Sequence, residues 1–312
     1  MVATSLVLLS VLSSAPARID ALAAPLNAIC KDFHGDIGYC LIDLKTSEAI
    51  QFQGEKRFPT ASTIKVPLLI EAINQVEEGK LKWTDQRELP ATKDRTENMA
   101  SMWSYYMKDG IKLNLDGLCN LMITYSDNFA THVVGKWVTN QAVKDRMEKL
   151  GLHDTAYLAY APKEASYYFR MWNKRYGLGM TTPNDMAKLL QLIYNKKATS
   201  TAAGAERVLR ILSRQYWDDF IGGSVPPGTV CASKSGAISR SRSDCAIVFG
   251  DNPYVFVVYT DNQKDQRWVA DNEGDRAIAK MAGLVWNTMN PHKKYSPPAG
   301  AEKFAPTGGG VD

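Results

Sequence analysis

The sequence predicts an α/β fold of the α+β type, a five-stranded antiparallel sheet flanked by helices and joined to an all-α lobe. Three observations lead there. β-Rich runs cluster at both ends of the chain, the long stretch between them carries helical periodicity instead, and 312 residues with 45% hydrophobic content can bury a core large enough for two lobes.

At the first end, "DIGYCLIDL" (36–44) alternates in polarity and is followed by a turn and "AIQFQ" (49–53), a hairpin-like pair. From Ser62 the pattern becomes helical, with apolar residues at Val66, Leu69, Ile70, Ile73 and Val76 and a stop at Gly79. "NLDGLCNLMITYSDNFATHVVGKWV" (114–138) reads as two helical pieces around the Ser126-Asp127-Asn128 break, and "QAVKDRMEKLG" (141–151) as a further helix with a glycine stop. In "TTPNDMAKLLQLIY" (181–194) Thr182 is suited to cap the helix, with Pro183 in its first position and Asp185 in its first turn. At the second end come "TVCASKSG", "DCAIVFG" and "YVFVVYT", then a last helix over 275–288 that covers the sheet. The expected domain is 18–290, with the α/β lobe from 18–57 and 214–290 and the all-α lobe from 58–213. A cleft between two lobes is a common place for a ligand.

The ends of the chain stand apart. Residues 1–17 hold a short apolar run, Leu6 to Leu12, followed by Ala15-Pro16-Ala17, which reads as an export signal; the expected location is secreted or periplasmic. No other apolar run approaches the roughly 20 residues of a membrane span, so stable membrane insertion is not expected. Residues 291–312 are rich in Pro and Gly and read as a disordered tail. Lys+Arg (37) exceed Asp+Glu (33) only slightly and without a basic run, which argues against nucleic acid as a partner. The five cysteines are far apart, with no C-x-x-C pair and no histidines at ligand spacing, so neither a metal nor any other cofactor is expected; most fall in apolar runs, as small buried hydrophobes do.

Three short signals carry the chemistry: Ser62-Thr63-Ile64-Lys65, Ser126-Asp127-Asn128 and Lys234-Ser235-Gly236. In a chain of this length S-x-x-K arises about once by chance, S-D-N about 0.05 times and K-[ST]-G about 0.15 times, so the weight lies in the combination. A spacing of three puts Ser62 and Lys65 on one helical face. A serine hydroxyl needs a nearby base, and a lysine becomes one when burial and a second cation, here Lys234, depress its pKa.

In these three motifs, in this order, the chain resembles the class A β-lactamases among the penicillin-recognising serine hydrolases. The resemblance spans about Arg18 to Asn290 and includes the Thr-Thr-Pro helix start. It implies Ser62 as nucleophile, Lys65 as base, Ser126 as proton shuttle and Lys234 as electrostatic anchor. It also implies substrate contacts from Asn128, Ser235, Gly236 and Ala237, whose amide would complete an oxyanion hole with that of Ser62. Arg240 and Arg242 follow in the next turn, and Arg242 is the expected clamp for a substrate carboxylate. The serine at 235 replaces the commoner threonine and keeps its hydroxyl.

One part of the family pattern is missing. The loop before the Thr-Thr-Pro helix should carry Glu-x-x-Leu-Asn, whose glutamate activates the water that frees the acyl-enzyme. Here the only carboxylate of "TAYLAYAPKEASYYFRMWNKRYGLGMTTP" is Glu164, followed by Ala-Ser-Tyr-Tyr. Glu164 is either a displaced water activator or, as favoured, a solvated loop residue, and release of the acyl group is then expected to be slow. The expected partner is a small β-lactam or peptidoglycan-like substrate, and the expected assembly a monomer. A D,D-peptidase, another amidase or esterase, and a non-turnover β-lactam or muropeptide sensor stay open as alternatives.

Overall fold

The computed structural model describes residues 19–89, 91, 104–159 and 167–301. The export signal expected over 1–17 and Glu164 both lie outside the described residues.

In chain order the elements are α1 (Asp20–Asp32), β1 (Asp36–Asp43), β2 (Ala49–Phe52), β3 (Phe58–Pro59), a 3-10 turn over Ala61–Ile64, α2 (Lys65–Glu77), β4 (Gln86–Glu88), β5 (Lys112–Asn114), α3 (Leu115–Thr124), α4 (Asn128–Val138) and α5 (Asn140–Lys149). There follow β6 (Ala156–Tyr157), α6 (Tyr167–Tyr176), β7 (Gly179–Thr181), α7 (Pro183–Tyr194), α8 (Ala202–Leu212), β8 (Val230–Ile238), β9 (Ser241–Phe249), β10 (Tyr254–Asp261) and α9 (Glu273–Met289).

The main sheet has the order β2-β1-β10-β9-β8, antiparallel throughout, so the five runs predicted from the two ends of the chain do form one sheet. Its central strands are apolar on both faces because both are covered. Cys40, Ile42, Val255, Val257, Tyr259, Cys245 and Ile247 face a core shared with α2, α3, α4, α7 and α8. The alternate residues Tyr39, Leu41, Phe256, Val258, Ala246 and Val248 face a second core shared with α1 and α9. Each large side chain so buried stabilises the fold by about 1.5–3 kcal/mol before entropy is counted. β8 is left as an edge strand, and it is the strand that carries Lys234 and Ser235.

The helix starts follow local chemistry. Thr182 accepts the Asp185 N–H at 3.0 Å, as its place ahead of Pro183 predicts. Asp127 caps α4 through Ala130 N at 2.8 Å, and Gly79 takes the left-handed conformation, φ +73°, just past α2. The middle of the chain is less purely helical than expected, since β3, β7 and β6 form a small sheet there. The aromatic stretch read as a loop contains α6, whose Phe169 and Trp172 pack on Ala156, Leu158 and Met180; Tyr157 is buried, while Tyr167 stays exposed.

The tail corrects the sequence reading at its start. Residues 291–295 stay on the body: the Trp286 indole N–H donates to Lys293 O at 2.8 Å, and Asn287 exchanges two bonds with the Tyr295 backbone, at 2.7 and 2.9 Å. There the chain forms a 3-10 turn, Pro291–Lys293, held by side chains of α9.

The five cysteines are all buried and unpaired. Among the described residues no helix is long and apolar enough to cross a membrane, and no group of His, Cys, Asp and Glu could hold a metal ion.

Candidate active site

Ser62 sits in the 3-10 turn that feeds α2, and Lys65 is the first residue of the α-helix. The tighter turn is anchored from several sides. Thr60 N donates to Gly179 O at 3.0 Å, Thr63 Oγ1 donates to Thr60 O at 2.9 Å and shares a hydrogen bond of 2.8 Å with the Tyr259 hydroxyl, and Ser243 Oγ donates to Thr60 O at 3.3 Å. These bonds hold Ala61, the residue before Ser62, at φ +44°, a conformation that costs a non-glycine residue about 1–3 kcal/mol.

Gly236 explains why β8 lies so close to that turn. A Cβ at this position would stand 2.6 Å from Thr60 O and 2.9 Å from Ser62 N, nearer than carbon can approach backbone. Only glycine lets the edge strand press its backbone against the amide of Ser62, which brings the next residue, Ala237, alongside.

Lys65 is wholly buried. Its Nζ donates to Ser126 O at 2.7 Å, to Asn128 Oδ1 at 2.8 Å and to Ser126 Oγ at 3.1 Å. Burial pushes its pKa well below the usual lysine range, the charge of Lys234 pushes it further, and Asp127 opposes them. A neutral amine has two N–H donors and one lone pair. The Ser126 hydroxyl can turn round and donate, so loss of a proton from Lys65 leaves the amine and hydroxyl still hydrogen-bonded with their roles reversed.

Ser126 is itself held in a left-handed conformation, φ +55°. Its neighbour Asp127 is structural, as its place in an interhelical turn suggests: besides capping α4 it accepts Ser104 Oγ at 2.8 Å and Ser104 N at 3.1 Å. Buried Ser104 therefore ties its own 3-10 turn, Ser104–Tyr106, to the Ser126 turn, and no motif marks it in the sequence.

Lys234 is also fully buried, and its Nζ donates to Ser235 O at 2.8 Å. Burial lowers its pKa to about 8, opposed by nearby Cys245 and Asp244. Asp244 is a second residue the sequence reading missed. It is buried on β9 directly opposite Ser235, accepts Ile221 N at 3.0 Å and Cys245 N at 2.8 Å, and burial raises its pKa to about 6. A lone carboxylate inside the apolar run "SDCAIVFG" was the available signal, because buried aspartates are rare without partners.

Arg242 does not do what was expected of it. Its guanidinium lies on the other side of the sheet, donating to the carbonyls of Ile238, Ser241 and Arg267, pairing with Asp275 at 3.1 Å and stacking 4.4 Å from the Trp268 ring centre. Arg242 shares a face with Asp244, with Ala246 and with Ser235 opposite Asp244, whereas Ser243 and Cys245 face Ser62 and its turn, and it is the bonds near α9 that occupy its guanidinium. Arg240 is engaged elsewhere too, with Asp261. The structure thus joins Lys65, Ser126 and Asn128 by hydrogen bonds, sets Lys234 near Lys65 and presses Gly236 against the Ser62 amide, while the Arg242 guanidinium is engaged with Asp275, Trp268 and three carbonyls.

Known proteins resemble this chain over most of its length. The model of the Beta-lactamase enzyme family matches residues 21–289. β-Lactamase VEB-1 of Pseudomonas aeruginosa is 21% identical over 284 residues, covering 87% of this chain and 91% of its own. A crystal structure of a β-lactamase from Sphaerobacter thermophilus superposes with a TM-score of 0.73 at 26% identity, over 87% of this chain and 97% of that one. A mutant of PBP-A, described as an acyl-enzyme complex with penicillin G, superposes with a TM-score of 0.72 at 21% identity, over 88% and 98% of the two chains.

Proposed function

Because the chain belongs to the Beta-lactamase enzyme family, we propose that it is an exported serine hydrolase that opens β-lactam rings through an acyl-enzyme on Ser62. The observation that carries this reading is the buried Lys65 amine bonded to Ser126 and Asn128, beside a second buried cation. In the forward step neutral Lys65 takes the Ser62 hydroxyl proton as the oxygen bonds to the lactam carbonyl carbon. The resulting oxyanion is held by the amides of Ser62 and Ala237. The proton passes from Lys65 through the Ser126 hydroxyl to the lactam nitrogen as the C–N bond breaks, leaving the acyl group as an ester on Ser62. Lys234 and Ser235 hold the anionic end of the substrate, and the Asn128 amide the acyl side chain. Water then hydrolyses the ester.

Release is the slow step in this proposal, because the sequence lacks the Glu-x-x-Leu-Asn motif. The same absence favours a second reading, a D,D-peptidase or other amidase or esterase, or a sensor that stays acylated. One experiment separates them: a chromogenic cephalosporin is mixed with the protein, and colour and intact mass are followed together. Sustained turnover supports a β-lactamase, and one equivalent of colour with a persistent adduct supports a slow-releasing peptidase or sensor. An adduct that forms equally on Ser62→Ala would refute the nucleophile.

A further inference from the structure

We propose that Ser243 is a positioning residue for the oxyanion hole: its hydroxyl holds the Gly236 carbonyl from inside the sheet and so aims the Ala237 amide into the cleft, an inference that rests on the hydrolase reading above.

Ser243 lies on β9 directly opposite Gly236 of the edge strand β8. It is fully buried, and its Oγ stands 3.1 Å from Gly236 O and 3.3 Å from Thr60 O. A hydroxyl has one proton to offer these two carbonyls. Thr60 O already accepts Thr63 Oγ1 at 2.9 Å and Thr63 N at 3.1 Å, which occupies its two lone pairs, so the Ser243 proton goes to Gly236 O, the nearer oxygen. The packing ties this bond to the nucleophile. A Cβ on Gly236 would stand 2.8 Å from Ser243 Oγ and 2.9 Å from Ser62 N, so the hydroxyl and the Ser62 amide flank the same small volume beside Gly236.

Gly236 O and Ala237 N belong to one trans peptide, whose carbonyl and N–H point in opposite directions. Drawing the oxygen inward toward Ser243 turns the Ala237 N–H outward over the edge of β8, where the sheet has no further strand. A hydrogen bond to the oxygen also polarises that amide and strengthens its N–H as a donor. The next inward residue of β9 repeats the device, for Cys245 Sγ donates to Lys234 O, directly opposite it, at 3.3 Å. Ser241 supplies the contrast: two residues earlier on the same face of β9 and equally buried, its hydroxyl has no hydrogen-bond partner among the described residues. Burial of a serine on this strand therefore does not by itself make such a bond, and the one that forms lies against the peptide that carries the oxyanion donor.

Ser243→Ala deletes the hydroxyl and keeps the Cβ, and Ser241→Ala is its control. Acylation of Ser62 by a chromogenic cephalosporin is followed by stopped flow over a range of concentrations. In Ser243→Ala the saturating acylation rate is expected to fall about tenfold, less than the roughly hundredfold or more lost with an oxyanion donor itself, because the amide stays and loses only its aim and polarisation. The half-saturating concentration should change by less than about twofold, as for an interaction made in the transition state. Ser241→Ala should match the wild type. In protein labelled with 15N-alanine, the Ala237 amide resonance should shift in Ser243→Ala and stay in place in Ser241→Ala. An unchanged rate in Ser243→Ala, an equal fall in both variants, a loss confined to the half-saturating concentration or an unmoved Ala237 resonance overturns the proposal. No adduct on the wild-type protein overturns the hydrolase reading and the catalytic role of Ser243 with it, while the Ala237 resonance still reports whether Ser243 holds that peptide.

Discussion

Asp244→Asn separates the electrostatic cost of this fold from its hydrogen bonding. The carboxylate is fully buried, and its pKa rises from 3.8 to about 6 because burial outweighs the two backbone donors and Lys234. Above pH 6 the folded protein must therefore hold an ionised group that the unfolded chain ionises more easily. The raised value means that the folded state binds the extra proton between these two pKa values, so stability falls as pH rises from about 4 through 6 and then levels off. Two pKa units correspond to about 3 kcal/mol. Asparagine removes the charge but has one acceptor oxygen for two donors, Ile221 N and Cys245 N, so it costs about 1–3 kcal/mol at every pH. Urea denaturation at pH 4, 5, 6 and 7.5 should show the variant less stable than wild type at pH 4, with the gap narrowing by about 3 kcal/mol or inverting by pH 7.5. Asp218 and Asp219, both raised by burial and by the charge of Asp244, should lose part of their own shift and add to the change. Since the Asp244 charge also holds the Lys234 pKa up, the alkaline limb of acylation should move to lower pH in the variant. A stability difference independent of pH would refute this account, for it would mean that Asp244 is ionised as readily in the folded chain as in the unfolded one.

The other predictions are more local. Gly236→Ala drives a methyl group into Thr60 O and Ser62 N, so we expect a loss of about 1–3 kcal/mol and a fall in acylation of at least about a hundredfold, read by thermal melts and by intact mass. Lys65→Met removes the base but keeps the buried volume: labelling should slow by about 10²–10⁴-fold while the melting temperature holds or rises, since the buried amine is costly to keep. Ellman's reagent should find none of the five thiols in the folded protein and all five in denaturant. Trp286→Phe loses the bond to Lys293 O and should cost about 1 kcal/mol, with faster tryptic cleavage at Lys293 or Lys294 than in wild type.

What could be read from the sequence was what short stretches of chain decide by themselves. Thr182 ahead of Pro183 and Gly79 after α2 each have a local mechanism, and each lies where that mechanism puts it, whereas the α-helix read as starting at Ser62 starts at Lys65 after a 3-10 turn. The strand runs could be located for the same reason. Their facing could not, because facing depends on register and bulges that only the folded sheet fixes, and one residue of slip turns a side chain to the opposite face. Arg242, two residues past Arg240 in a basic turn, looked available to a substrate, and the bonds near α9 occupy its guanidinium. The tail failed differently, since composition reports what a segment can do alone and says nothing of Trp286 and Asn287 waiting on a helix to hold it. Asp244 and Asp261 belong to a third class. Each joins elements far apart in sequence, one bonding the loop at Ile221 behind β8 and the other tying α6 to the turn beyond it, so neither has a motif. In the proposed reaction the serine and lysines supply the chemistry, while the glycine at 236 lets β8 approach the Ser62 amide and the charge of Asp244 holds up the pKa of Lys234. A search by motif alone therefore finds the candidate reacting groups and passes over a buried carboxylate that tunes one of them.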